Sequence, residues 1–393
     1  MTNYVPEPIA HPMMPVANHD EHAREDITVD IKKWMTSYIY PNDELVYERK
    51  AKPKFKKQHG RGPEDCDEVH HLMLDEPYTQ MWSSIARTLQ EMLWDNQGEI
   101  TAREMPRLKA EAKKYLRDPK GSLTLDSNFK TPRYVDAVDI HCMPGGYQTS
   151  LTDDDLFVAG VYERGAYYYT KGMGGRRREG PGTAMVNAIR NFYPEFSPKR
   201  ILDVGCTTGG TSTSIASAWP EAEFHAIDVG PAVMRYAHAR AECLDQKVHF
   251  HLMSGDDMSF PDQSFDLVVS GGVFHETSVK GARGMIKEMR RVLRSGGITM
   301  HYDIPFGGAF NIHEQFMLNW DCWYNAEPFW RQWTAWDRTD FLIEAGFKKE
   351  CVVDTWADRD RHGNFAFFEK PFDETHPSAQ GGTGRVQFFG AKK

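Results

Sequence analysis

Residues 201–210 read ILDVGCTTGG, and this stretch limits the possible folds of the 393-residue chain more than any other. Two apolar residues run into Asp203, Gly205 follows, and Gly209 and Gly210 open a helical pattern. That is a strand entering a tight turn that feeds a helix, the layout with which open α/β sheets hold nucleotide-like ligands. Glycine serves there because the backbone turns sharply and a ligand approaches where a Cβ would collide. A glycine turn alone also recurs in dinucleotide enzymes, so the strands after it carry the argument.

Phe224-His225-Ala226-Ile227-Asp228 is a second strand pattern, and its terminal acid can accept hydrogen bonds from both hydroxyls of a ribose. Val248-His249-Phe250-His251-Leu252 is a third, running into Ser254, Gly255, Asp256 and Asp257. FPDQSFDLVVS, residues 260–270, supplies a turn and a fourth strand. A helical segment over 282–293 is closed by Ser295-Gly296-Gly297, and Ile298-Thr299-Met300-His301-Tyr302 reads as the fifth strand. Strands separated by helices predict right-handed crossovers and a Rossmann-like, doubly wound, mostly parallel α/β sheet.

ILDVGCTTGG, FHAIDVG, FPDQSFDLVVS and EMRRVLRSGG in this order make residues 199–303 resemble the class I S-adenosylmethionine-dependent methyltransferases. A nicotinamide enzyme would share the glycine turn and the acid after the second strand; FPDQSFD and RVLRSGG argue against it. The resemblance implies S-adenosylmethionine as methyl donor. Asp203, Gly205, Cys206 and Gly209 would lie beside its methionine part, Asp228 on the ribose, and Val229 beside the adenine. Ser254 stands where the family usually offers an acid to the adenine, which leaves Gly255 backbone and Asp256 or Asp257 for that contact. Thr207 occupies a place where glycine is common; its hydroxyl can bond the cofactor, but its branched side chain restricts the backbone. Ser270 and Gly271 would neighbour the sulfonium.

The donor carbon is attacked in line, so a proton-accepting group would stand near the ends of the fourth and fifth strands. His275 and Glu276 hold the first position, His301 and Asp303 the second, and His141 joins them if the preceding segment folds over. Imidazole suits deprotonation of a hydroxyl or an acidic carbon, although each histidine also has a purely structural reading. Tyr168, among Tyr167 to Tyr169, is expected either in a lid over the cofactor or in a strand packed on the core. Arg164 or Arg176 would pair with the cofactor carboxylate. Trp320, Tyr324, Asn325 and Trp330, in an aromatic segment over 306–336, are candidate acceptor contacts, the alternative being a helical cap packed on the sheet.

Four regions follow: an arm (1–28), a helical accessory region (29–130), a bridging or lid segment (131–197) and the cofactor-binding domain (198–393). Met81, Ile85, Leu89 and Met92 mark one accessory helix closed by Asn96-Gln97-Gly98, and 101–117 a second. This region is a candidate core, lid or homodimer surface. A net charge of −9 gives no general support to nucleic-acid binding. The local basic run Arg49, Lys50, Lys52, Lys54, Lys56 and Lys57 reads as a solvated loop or an anion-binding exception. No metal is expected; Cys66 with His70 and His71 is the nearest approach to a ligand cluster. No apolar run is long enough to cross a bilayer, the first residues do not read as a signal peptide, and the six cysteines suggest no disulfide framework. A cytoplasmic location is the expectation. The expected function is methyl transfer to a small-molecule acceptor, with oxygen, carbon, nitrogen and sulfur all open. The alternatives are a protein or nucleic-acid acceptor, or a cofactor-binding scaffold without turnover.

Overall fold

A computed structural model describes residues 7–172, 174–359, 365–368 and 386–393. Residues 1–6 of the expected arm, Met173, and 360–364 and 369–385 of the last domain lie outside the described residues.

The alternating apolar runs build one sheet from β1 (Ser122–Thr124), β2 (Arg200–Val204), β3 (Glu223–Asp228), β4 (His249–Leu252), β5 (Phe265–Gly271), β6 (Leu293–Asp303), β7 (Val352–Arg359), β8 (Phe365–Phe368) and β9 (Val386–Lys392). Their order is β1-β4-β3-β2-β5-β6-β9-β7-β8. The pairs from β1 to β6 are parallel; β9 runs antiparallel to both β6 and β7, and β8 to β7. From β2 the chain proceeds to β3 on one side and later to β5 on the other. Such a reversal opens a crevice beyond the carboxyl ends of the two central strands.

Successive side chains on β2 point to opposite faces, so Ile201 joins one apolar layer while Leu202 and Val204 join the other. The helix Val279–Val292 covers the second layer with Ala282, Met285, Ile286, Met289 and Val292, a stripe at helical spacing. The helices Gly180–Phe192, Gly210–Ala218 and Pro231–Cys243 contribute to the first layer.

The N-terminal region departs from expectation in several places. Its first helix, His19–Trp34, starts within the expected arm, because Asn18 and Glu21 form a reciprocal cap. It continues through π-turns at Met35–Ile39 and Tyr47–Ala51 to Lys52–His59. Each π-turn is followed two residues on by a proline, Pro41 or Pro53, which lacks an N–H and crowds the preceding turn. The basic run is therefore helical, with Lys50 paired to Glu76 and Lys52 to Glu48.

The two expected accessory helices are one, Pro77–Tyr115. Asn96 and Gln97 do not end it, since both are buried and bonded to the first helix: Asn96 Nδ2 donates to the Glu21 carbonyl and Gln97 Nε2 to Glu25 Oε1. Tyr167 to Tyr169 end the helix Phe157–Tyr169, so they form neither a strand nor a lid loop. No described helix is long and apolar enough to cross a membrane.

Candidate functional site

A partly open cavity lies at the carboxyl ends of the central strands. Asp203, Gly205, Cys206, Thr207, Asp228, Val229, Gly255 and Gly271 line it, which brings together most of the expected cofactor residues. Gly205 holds a φ of 76°, and a Cβ there would sit 2.5 Å from Val273 Cγ2, so only glycine fits this turn. Thr207, at φ 44°, is in the left-handed region that β-branched residues avoid. Its N–H donates to Asp228 Oδ2 at 2.9 Å, while Asp228 Oδ1 accepts from the N–H groups of Val229 and Gly230.

Asp203 is buried, with Oδ2 accepting from the Ser212 hydroxyl at 2.6 Å and Oδ1 without a hydrogen-bond donor among the described residues. Burial pushes its carboxyl up to about 7. The Asp228 carboxyl is also raised, chiefly by burial and against its three backbone donors.

Several expected residues stand elsewhere. Gly209 is not a lining residue; at φ 78° it caps the helix Gly210–Ala218. Ser254 bonds Asp256, and neither lines the cavity, where Met253 and Gly255 do. Ser270 is turned to His301 Nδ1 at 2.7 Å. Tyr168 packs with Val29 and Leu93, and Arg164 Nη2 donates to its hydroxyl at 3.3 Å. Arg164 itself is committed to Glu25, and Arg176 donates to the Glu7 carbonyl. The arginine at the cavity is instead Arg178, joined there by Tyr134, Tyr147, Tyr162 and Tyr302. Tyrosine density from 134 to 169 was the available signal; the sequence could not say which rings turn inward.

Among the catalytic candidates, Glu276 lines the cavity, and its Oε1 accepts from His141 Nε2 at 2.9 Å and the Tyr147 hydroxyl at 3.1 Å. His275 stands just behind, with Nδ1 2.6 Å from Asp303 Oδ1 and its ring edge-on to Trp330. Burial alone would lower the His275 pKa, but the Asp303 carboxylate, together with Glu276 and Glu327, outweighs it and pushes it up to about 9. His301 is fully buried between the hydroxyls of Ser270 and Thr299, and burial pulls it down to about 3. It is a neutral interior residue away from the cavity lining.

The aromatic segment divides: Trp320 and Trp323 pack with the accessory helices, while Trp333 and Trp336 pack in the second sheet layer. Trp320 donates to Ser83, Tyr324 bonds His70, and Trp330 donates to the Leu318 carbonyl. Asn325 bridges Asp321 and the Tyr169 hydroxyl. None of these four lines the cavity.

The family profile described as "Methyltransferase domain" matches residues 201–297. Over 181 residues the chain is 30% identical to the ubiquinone/menaquinone biosynthesis C-methyltransferase of Dinoroseobacter shibae, covering 44% of this chain and 71% of that protein. The chain belongs to the class I S-adenosylmethionine-dependent methyltransferases. Within this family it is also 27% identical to a malonyl-[acyl-carrier protein] O-methyltransferase of a Paenibacillus species over 42% of this chain and 62% of that one. Ajmaline N-methyltransferase of Rauvolfia serpentina is 36% identical over 26% of this chain and 35% of that protein. The chain thus spans between about a third and two thirds of the length of these last two relatives. A solved S-adenosylmethionine-dependent methyltransferase from Aquifex aeolicus is 15% identical, with a TM-score of 0.34 over 52% of this chain and 87% of that one.

The cavity fits this family's cofactor. Asp203 Oδ1 leaves a buried acceptor for an ammonium group, and Asp228 keeps lone pairs beyond its backbone contacts for ribose hydroxyls.

Proposed function

We propose that this chain transfers a methyl group from S-adenosylmethionine to a small-molecule acceptor bearing a removable proton, on oxygen or on an activated carbon. The observation that carries the reading is Glu276, a carboxylate at the wall of the cofactor cavity whose Oε1 is fixed by His141 and Tyr147. S-adenosylmethionine, when bound, supplies a methyl group already activated by its sulfonium. The chain then has to hold donor and acceptor in line and keep water out.

Asp203, Asp228 and the glycine turn hold the donor. Tyr147, Tyr162 and Tyr302 close the cavity with aromatic surface. Glu276 accepts a hydrogen bond from the acceptor, orients the attacking atom and would take its proton as the bond to the methyl carbon forms, the donor sulfur leaving as the neutral thioether of S-adenosylhomocysteine. His275, tied to Asp303, is a positioning residue 3.8 Å from Glu276 Oε1. An O-methyltransferase and a C-methyltransferase among the relatives support an acceptor of this kind. The pairing of Lys50 and Lys52 with acids disfavours a nucleic-acid acceptor.

The test is methyl-labelled S-adenosylmethionine incubated with a cell extract and either the wild-type chain or Glu276→Gln. Label should appear in a small-molecule fraction and fall about 100-fold with the variant, as for loss of an acid–base contact. Binding of S-adenosylhomocysteine should stay within a few-fold. Label in protein or RNA, or equal turnover by the variant, would sink the proposal.

A further inference from the structure

Glu276 also belongs to a cluster whose buried charge methyl transfer does not itself explain. His141, Glu276 and Glu327 each offer one ligand atom, and these atoms all lie within 4.8 Å of one another. His141 belongs to the turn Ile140–Cys142, Glu276 to the turn Phe274–Glu276, and Glu327 precedes the helix Trp330–Thr334. The long accessory helix fixes the first of these, because Gln90 Nε2 and Trp94 Nε1 both donate to the His141 carbonyl, at 3.0 and 2.8 Å. Three separate parts of the chain thus converge on one point.

The charges there do not balance. Two carboxylates share one imidazole, which meets Glu276 through Nε2 and Glu327 through Nδ1. Glu327 is fully buried, and its Oε2 has no hydrogen-bond donor among the described residues. Asp321, partly buried, adds a third carboxyl near Glu327. An interior carboxylate oxygen without a donor is costly, and a cation resolves that cost.

We propose that His141, Glu276 and Glu327 bind a divalent first-row metal ion beside the methyl-donor cavity. Imidazole and carboxylate ligands together suit manganese, iron or zinc. One ion can take only one nitrogen of His141, so Glu276 and Glu327, which meet opposite ring nitrogens, must come to the same one. Metal bonds of roughly 2.0–2.2 Å at tetrahedral angles set ligand atoms about 3.4 Å apart, against up to 4.8 Å here. The ion replaces the proton on the ligating His141 nitrogen, which leaves to solvent. A second, open hollow next to this wall holds Arg87, Glu91, Asp95 and Asp139; Arg87 pairs with Glu91, which leaves Asp95 and Asp139 as the acidic groups on a cation's approach. Three protein ligands leave open positions. Since Glu276 also lines the donor cavity, an acceptor oxygen can take one and be acidified there. This inference departs from the sequence expectation of no metal. Its catalytic meaning rests on the methyltransferase reading.

The 393-residue chain, stripped with chelator and dialysed, is titrated with Mn²⁺ and separately with Zn²⁺. Stoichiometry is read by elemental analysis, and the bound Mn²⁺ by electron paramagnetic resonance. About one tightly held ion per chain is expected, with affinity falling at least tenfold in Glu327→Gln and in His141→Gln, while Glu91→Gln at the outer hollow retains it. S-adenosylhomocysteine binding to each variant, measured alongside, reports that the fold and donor cavity persist. No ion bound by the wild type, or equal binding by Glu327→Gln, overturns the metal site. Cofactor binding that survives such a result leaves the methyltransferase reading standing.

Discussion

At the scale of single residues, the donor cavity combines one unavoidable glycine with one strained substitute for glycine. Gly205 cannot carry a side chain, because Val273 occupies the space. Thr207 could be glycine on steric grounds, yet it holds φ 44° with a branched side chain, at a cost of about 1–3 kcal/mol. Such strain persists where the side chain contributes something, and Thr207 lines the cavity. Thr207→Gly should therefore stabilise the apo protein by about 1 kcal/mol, after allowing for the added freedom of glycine in the unfolded chain. It should also weaken S-adenosylhomocysteine by up to about tenfold through a lost hydroxyl contact. Urea unfolding and calorimetric titration of the same preparation check both; a destabilised variant would mean that the turn is not strained.

At the scale of elements, the glycine turn is held from outside the sheet. Glu163, on the helix Phe157–Tyr169, accepts from the Thr208 hydroxyl at 2.5 Å, from Arg240 Nε at 2.7 Å and from His11 at 3.1 Å. Arg240 in turn donates to the carbonyls of Gly209 and Arg177. Burial would raise the Glu163 pKa, but Arg240 and His11 hold it well below the usual carboxylate range. Glu163→Gln leaves a buried guanidinium without its counter-charge, which should cost about 3–5 kcal/mol and loosen the turn. The expected outcome is a lower melting temperature that bound S-adenosylhomocysteine only partly restores; an unchanged midpoint would show the network to be incidental.

This linkage also marks where the sequence was legible. β2 to β6, Asp203, Gly205 and Asp228 follow from local patterns, because each pattern's period or turn chemistry decides its own conformation. Glu163, Arg178, Glu327 and β9 depend on contacts across long stretches of chain. The three-residue β1 is too short to carry a period. Asn96-Gln97-Gly98 misleads for the same reason: buried contacts to Glu21 and Glu25 override a local stop signal.

At the scale of the whole molecule, buried histidines set an acid limit on stability. His301 lies inside the sheet, bonded to Ser270 and Thr299, and burial pulls its pKa from 6.5 to about 3; the half-buried His251, beside His225, is pulled to about 4. In the unfolded chain both take up a proton near pH 6.5. Below that pH the unfolded state binds more protons than the folded one, so folding stability falls as pH drops from 6.5 towards 3. Above 6.5 both states hold neutral imidazoles and the effect vanishes. His301 alone accounts for a loss on the order of 4 kcal/mol across this window. In His301→Gln that component is absent whatever the variant's stability at neutral pH. Urea unfolding at a series of pH values from 7 to 4 should therefore give a shallower decline for His301→Gln than for the wild type. Parallel curves would mean that His301 protonates without penalty, through a rearrangement of the Ser270 and Thr299 hydroxyls that lets both ring nitrogens donate.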